Sequence, residues 1–200
     1  MKTTSGSVTR LLAAVTLWGA ALSVAQASLI TYEATLGPEA LGATGTGSVE
    51  LVFNTVTNML DIDADWTGLS GTTTVAHIHC CTASPFSGTI GVAVTPGTLP
   101  GFPVGVTSGS YNAQINLDLT SSFTTNFITN FGAGTVAGAR NALLAGLDAG
   151  SAYFNIHTSV FPGGEIRGFP QPTPAPATLT LVALGIAGIG WSRRRRVGSP

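Results

Sequence analysis

The sequence predicts an all-β protein: an antiparallel β-sandwich or barrel-like domain of about eight strands, with two short helices inserted before the last hairpin. Three observations carry that expectation. Charged residues are only 8% of 200, while glycine numbers 26 and proline 11, a composition of short strands and turns. Residues 59–66 alternate strictly, with Leu60, Ile62, Ala64 and Trp66 on one side and Asp61, Asp63 and Asp65 on the other. The apolar period changes from two to helical spacing only between Phe123 and Leu147.

Taken in order, residues 29–36 read as a first strand, and 37–45 as a glycine-rich loop. Strands follow at 46–54, with Val49, Leu51 and Phe53 on one face, and at 59–66. The three aspartates form an acidic outer face that resists edge pairing, with a calcium ladder as the alternative. Residues 72–79 make a strand, 80–87 a loop, 88–94 another strand, and the prolines and glycines of 96–103 a rigid loop. Residues 106–117 read as a strand. Phe123, Phe127, Ile128 and Phe131 then share a helix face, capped by Ser121 or Ser122. Val136, Leu143, Leu144 and Leu147 share another, ending near Gly150. Strands at 152–157 and 165–169 close the chain as a hairpin around Pro162-Gly163-Gly164.

Charge is segregated. The body from 28 to 171 keeps Arg140 and Arg167 against all nine acids of the chain. An acidic body of this kind is not a nucleic-acid binder, because such binding rests on neutralising phosphates.

The remaining basic residues lie in the two ends, which read as addresses. Lys2 and Arg10, an apolar run over 11–24 and Ala25-Gln26-Ala27 make residues 1–27 a secretory signal peptide cleaved before Ser28. Residues 171–200 form a linker and a membrane-anchor or sorting tail. Pro174 and Pro176 precede an apolar run from 179 to 191, and Arg193, Arg194, Arg195 and Arg196 follow. The run is short for a relaxed span, and its arginines belong on the cytoplasmic side. This tail resembles the PEP-CTERM sorting signal of Gram-negative bacteria, with Ala175 where that family usually carries Glu. The resemblance implies processing by an exosortase-type enzyme and a transient anchor in the inner membrane. It further implies delivery to the periplasm, outer surface or extracellular matrix of an exopolysaccharide-making cell.

The chemistry-bearing residues sit in two short stretches. Ala76-His77-Ile78-His79-Cys80-Cys81 holds two of the three histidines and both cysteines; His157 lies in Asn155-Ile156-His157-Thr158. With a strand period of two, His77 and His79 share a face, as do Asn155 and His157, and Glu165 and Arg167. If the apolar residues between them enter the core, this set shares an outer polar surface. A His-x-His pair can chelate one ion, His157 could be a third ligand, and a Cys80 thiolate would add affinity; copper or zinc suits such donors. The purely structural alternative ties the histidines to backbone carbonyls and pairs Glu165 with Arg167. In an oxidising compartment Cys80 and Cys81 can bond within the chain only to each other, as a vicinal disulfide. Adjacent Cα atoms at ~3.8 Å are closer than the usual disulfide span. Free thiols, a metal and an intermolecular bridge are the other options.

The body resembles the CHRD domain, first described in chordin and found in many secreted bacterial proteins. The residues that carry the resemblance are Gly68-Leu69-Ser70-Gly71, Ala76 to His79, the helix ending near Gly150, Asn155 to Thr158, and Pro162 to Gly168. It covers the domain assigned to 28–170 and implies an extracellular β domain. Cys80-Cys81 stands where the family commonly has Gly-Pro. No Ser/His/Asp set has motif context and no carboxylate pair suggests glycosidase chemistry. The sequence therefore points to a non-catalytic binding or structural module of the envelope or matrix, with polysaccharide or a surface protein as partner. The alternative is a copper- or zinc-binding or redox protein.

Overall fold

The computed structural model describes residues 28–174. The proposed signal peptide, Pro176 and Arg193 to Arg196 lie outside the described residues. Among the described residues no helix is long and apolar enough to cross a membrane.

Nine strands follow in chain order: β1 (Leu29–Pro38), β2 (Thr46–Asn54), β3 (Met59–Thr67), β4 (Thr73–His79), β5 (Val92–Val94), β6 (Gly109–Asn116), β7 (Tyr153–Thr158), β8 (Ile166–Gly168) and β9 (Gln171–Pro172). Helices α1 (Thr125–Asn130) and α2 (Val136–Asp148) come between β6 and β7. The strands form one curled antiparallel sheet in the order β5-β4-β7-β8-β1-β2-β3-β6, with β9 paired to β1. β1 joins the two halves of the curl: residues 29–36 pair with β2, and Gly37 and Pro38 pair with β8. The all-β architecture and both helices thus stand as the sequence predicts.

The inner face follows the two-residue period. Val49, Leu51 and Phe53 of β2, Leu60, Ile62, Ala64 and Trp66 of β3, and Ala76 and Ile78 of β4 all enter one core. That core also receives Leu143 and Leu147 of α2, together with Phe123 and Phe127. On the outer face of β3, Asp61 accepts from Gln114 Nε2 at 2.7 Å and Asp63 from Asn112 Nδ2 at 2.9 Å, both amides on β6.

Several element bounds differ for local reasons. The strand expected at 88–94 shrinks to β5, because Gly88 takes a left-handed conformation (φ +79°) that interrupts extended backbone. The first helix starts two or three residues late. Ser122 spends its hydroxyl on the Asn116 carbonyl at 2.6 Å, so Thr124 caps α1 by accepting from the Phe127 amide. Thr135 caps α2 in the same way, and Gly150 (φ +66°) follows its end. Gln171 and Pro172, expected to begin the linker, are the short strand β9.

Candidate metal centre

β4 and β7 are neighbours, a point that spacing alone left open. Their register sets Val75 opposite His157, His77 opposite Asn155 and His79 opposite Tyr153; Asn155 in turn faces Arg167 on β8. The apolar residues between point into the core, so His77, His79, Asn155 and His157 share the other face, as predicted. That face is not the open polar surface expected from sequence. His77, His79 and His157 are only 7–8% exposed, Asn155 1% and Glu165 0%. The covering comes from irregular segments whose burial has no periodic signature: the β4–β5 and β5–β6 loops and the turn at 162–164.

Those segments also orient the rings. His77 Nε2 lies 2.8 Å from the Gly97 carbonyl, His79 Nδ1 2.7 Å from that of Ile90, and His157 Nδ1 2.8 Å from that of Pro162. A carbonyl oxygen only accepts, so each of these nitrogens carries the ring proton. In neutral rings the other three nitrogens, His77 Nδ1, His79 Nε2 and His157 Nε2, carry lone pairs. His77 Nδ1 and His157 Nε2 face each other at 3.2 Å, and one nitrogen from each of the three rings lies within 4.8 Å of the others. His79 Nε2 has no hydrogen-bond partner among the described residues.

Burial favours the neutral form of His77 and His79. Burial lowers the His79 pKa to about 4, against the opposing pull of the Ile90 carbonyl and, last, of the Asn155 side chain; nearby His77 and His157 lower it further. Burial lowers His77 too, with the Gly97 carbonyl again opposing. The Tyr153 ring stacks on His79 with centroids 4.5 Å apart and planes 4° from parallel.

A second layer fixes Asn155. Its Nδ2 donates to Glu39 Oε2 at 3.2 Å, and the other oxygen of Glu39 accepts from Arg167 Nη1 at 3.3 Å. Arg167 also donates to the Gly88 carbonyl at 2.9 Å and lies over the rings of Tyr153 and Phe169. Gly164 leaves room for this bridge, since a Cβ there would collide with the Glu39 carboxylate. Arg167 therefore pairs with Glu39, not with Glu165 as expected. Glu165 accepts instead from the Ser70 and Gly71 amides and from Thr158 Oγ1, which ties the 68–71 turn to β7. These bonds lower its pKa against the opposing effect of burial. Glu39 and Tyr153 were not singled out in the sequence: one lies in a loop and the other reads as an ordinary strand aromatic.

Cys80 is corrected as a ligand. Its sulfur is bonded to that of Cys81 across a cis peptide with Cα atoms 3.0 Å apart, so it supplies no thiolate to the imidazoles. Both sulfurs lie against the Ala142 carbonyl of α2, at 3.8 and 3.6 Å. The vicinal disulfide is the option realised.

A family model described as the CHRD domain matches residues 25–169, and one described as the PEP-CTERM protein-sorting motif matches residues 172–196. The sorting motif implies export, surface or extracellular placement, and processing by an exosortase-type enzyme. No curated protein and no solved structure matches the chain.

Proposed function

Because the chain belongs to the CHRD domain family and carries a sorting signal for the cell surface, we propose that it is a non-catalytic surface or matrix module of a Gram-negative bacterium that holds one copper or zinc ion. The ligands are His77 Nδ1, His79 Nε2 and His157 Nε2. The observation that carries this reading is the convergence of three buried lone pairs whose ring protons are all committed to backbone carbonyls. A proton can bridge the His77–His157 pair, but it leaves His79 Nε2 without a partner. One metal ion satisfies all three nitrogens at once. Second contacts from ligand imidazoles to carbonyls are the usual way a protein fixes tautomer and ring orientation around a metal. Neutral imidazoles select borderline ions such as copper and zinc over calcium or magnesium, which take oxygen donors. The structural alternative, histidines tied to carbonyls and to one another, leaves His79 Nε2 unexplained.

The test is metal content by elemental mass spectrometry on the full-length protein, incubated with copper and zinc and then desalted. About one ion per chain is expected, lost in His77→Ala/His79→Ala. A protein that retains no metal overturns the reading and leaves the histidines as scaffolding for a module that binds polysaccharide or another surface protein.

A further inference from the structure

Asn155 keeps one atom that the three-imidazole site does not explain. Its Oδ1 is buried and has no hydrogen-bond partner among the described residues. The amide orientation is fixed, because the Glu39 carboxylate can only accept and so takes Nδ2. Asn155 stands directly opposite His77 across the β4–β7 pair and precedes His157 on the same strand face. Its side chain is thus set among the three rings, within the spacing of cross-strand neighbours. The His79 ring lies within hydrogen-bonding reach of Asn155, but with its Nε2 on the metal it has no proton for Oδ1, since the ring protons of His77, His79 and His157 go to Gly97, Ile90 and Pro162. At 1% exposure the residue also lies out of reach of bulk solvent. A buried acceptor of this kind calls for a donor from something bound in the site.

We propose that Asn155 sets the specificity of the fourth coordination position: Oδ1 accepts a hydrogen bond from a small protic ligand on the metal, water in the resting protein. This rests on the three-histidine site proposed above. Three protein ligands leave a four-coordinate ion one open position. An acceptor beside that position favours ligands that carry an O–H or N–H and disfavours anions that offer only lone pairs. Arg167 and Glu39 act behind Asn155 as positioning residues, holding its amide so that the oxygen, not the nitrogen, faces the ion. Direct ligation by Oδ1 is the less suited arrangement, since amide oxygens are hard donors.

The experiment uses the full-length protein loaded with Cu(II). Azide, an acceptor-only anion, is titrated against the wild type and against Asn155→Leu, read by its charge-transfer absorption. Azide has to displace a water that Asn155 holds in the wild type only, so its affinity should rise about tenfold in the variant at unchanged copper stoichiometry. Copper bound normally with azide affinity unchanged within about twofold overturns the inference while leaving the metal site in place. A wild type that retains neither copper nor zinc overturns both. Should Asn155→Leu fail to fold, pulsed EPR of the wild type in H₂O and D₂O decides the matter. Exchangeable protons of a copper-bound water are expected, and their absence overturns the inference.

Discussion

Acidification of the metal-free protein should cost stability in a window set by His79. In the folded chain its pKa is about 4, while in the unfolded chain it returns to the ordinary 6.5. Above about pH 6.5 the ring is neutral in both states and contributes no pH dependence. Between these values the unfolded chain binds a proton that the folded one refuses, so stability falls as the pH drops and levels off below about 4. The full difference corresponds to roughly 3 kcal/mol, an upper figure for one ring. His77, lowered in the same direction, adds to the loss. Glu165 acts elsewhere: its depressed pKa contributes stability above the ordinary carboxylate range that is lost only as the pH falls through its lower, folded value. Urea denaturation between pH 7 and 4.5 in the presence of a chelator measures the slope, and NMR of the imidazole resonances locates the titration. His79→Gln should flatten the curve. A wild-type stability that is constant from pH 6.5 to 4.5, or a His79 ring titrating near 6.5, would refute the reasoning.

Two further substitutions probe the supports of the site. Glu165→Gln must turn an amide NH₂ toward at least one of the Ser70 and Gly71 amides or the Thr158 hydroxyl, and it removes the charge from all three bonds. A loss of about 2–4 kcal/mol in denaturation is expected, and a change under ~0.5 kcal/mol would show that the 68–71 turn holds without it. Gly146→Ala places a methyl group against both sulfurs of the Cys80–Cys81 pair. It should destabilise the fold by about 1–3 kcal/mol through overpacking, read as a lowered thermal midpoint; an unchanged midpoint would mean that α2 yields freely there.

The period-two pattern made the strands and their faces legible. Leu60, Ile62, Ala64 and Trp66 could be placed in the core from alternation alone, and so could the shared face of His77 and His79. Alternation is blind to what lies above a face, which is why the imidazoles read as solvent-facing. Their cover is irregular backbone, and the carbonyls of Ile90, Gly97 and Pro162 carry no side-chain signal at all. Strand order was equally silent, since the β4–β7 pairing joins segments about eighty residues apart. The Glu165–Arg167 pairing failed for a related reason. The two residues flank Ile166 at the start of β8, but each found a better partner outside the hairpin, Glu165 in the Ser70 and Gly71 amides and Arg167 in Glu39. The only trace of that arrangement in the sequence is Gly164, a turn glycine whose missing side chain makes room for Glu39.

The distribution of charge separates two parts that a metal-binding surface module would need. Both arginines of the described body are paired with acids, Arg140 with Asp118 and Arg167 with Glu39. On the sheet, Glu33 faces Glu50 across β1–β2 and Glu50 faces Asp63 across β2–β3, so three carboxylates lie in a row with no arginine opposite. Like charges opposite one another weaken a sheet, yet the same row draws cations of every kind toward the domain over roughly a Debye length. Such a face has no preference between calcium and copper. Preference has to come from the neutral donors, and these lie where burial keeps protons off His77 and His79. On the proposed reading an ion would be gathered by charge at the surface and selected by unprotonated nitrogen within. The selection should therefore persist at high salt, where the attraction of the acidic face is screened.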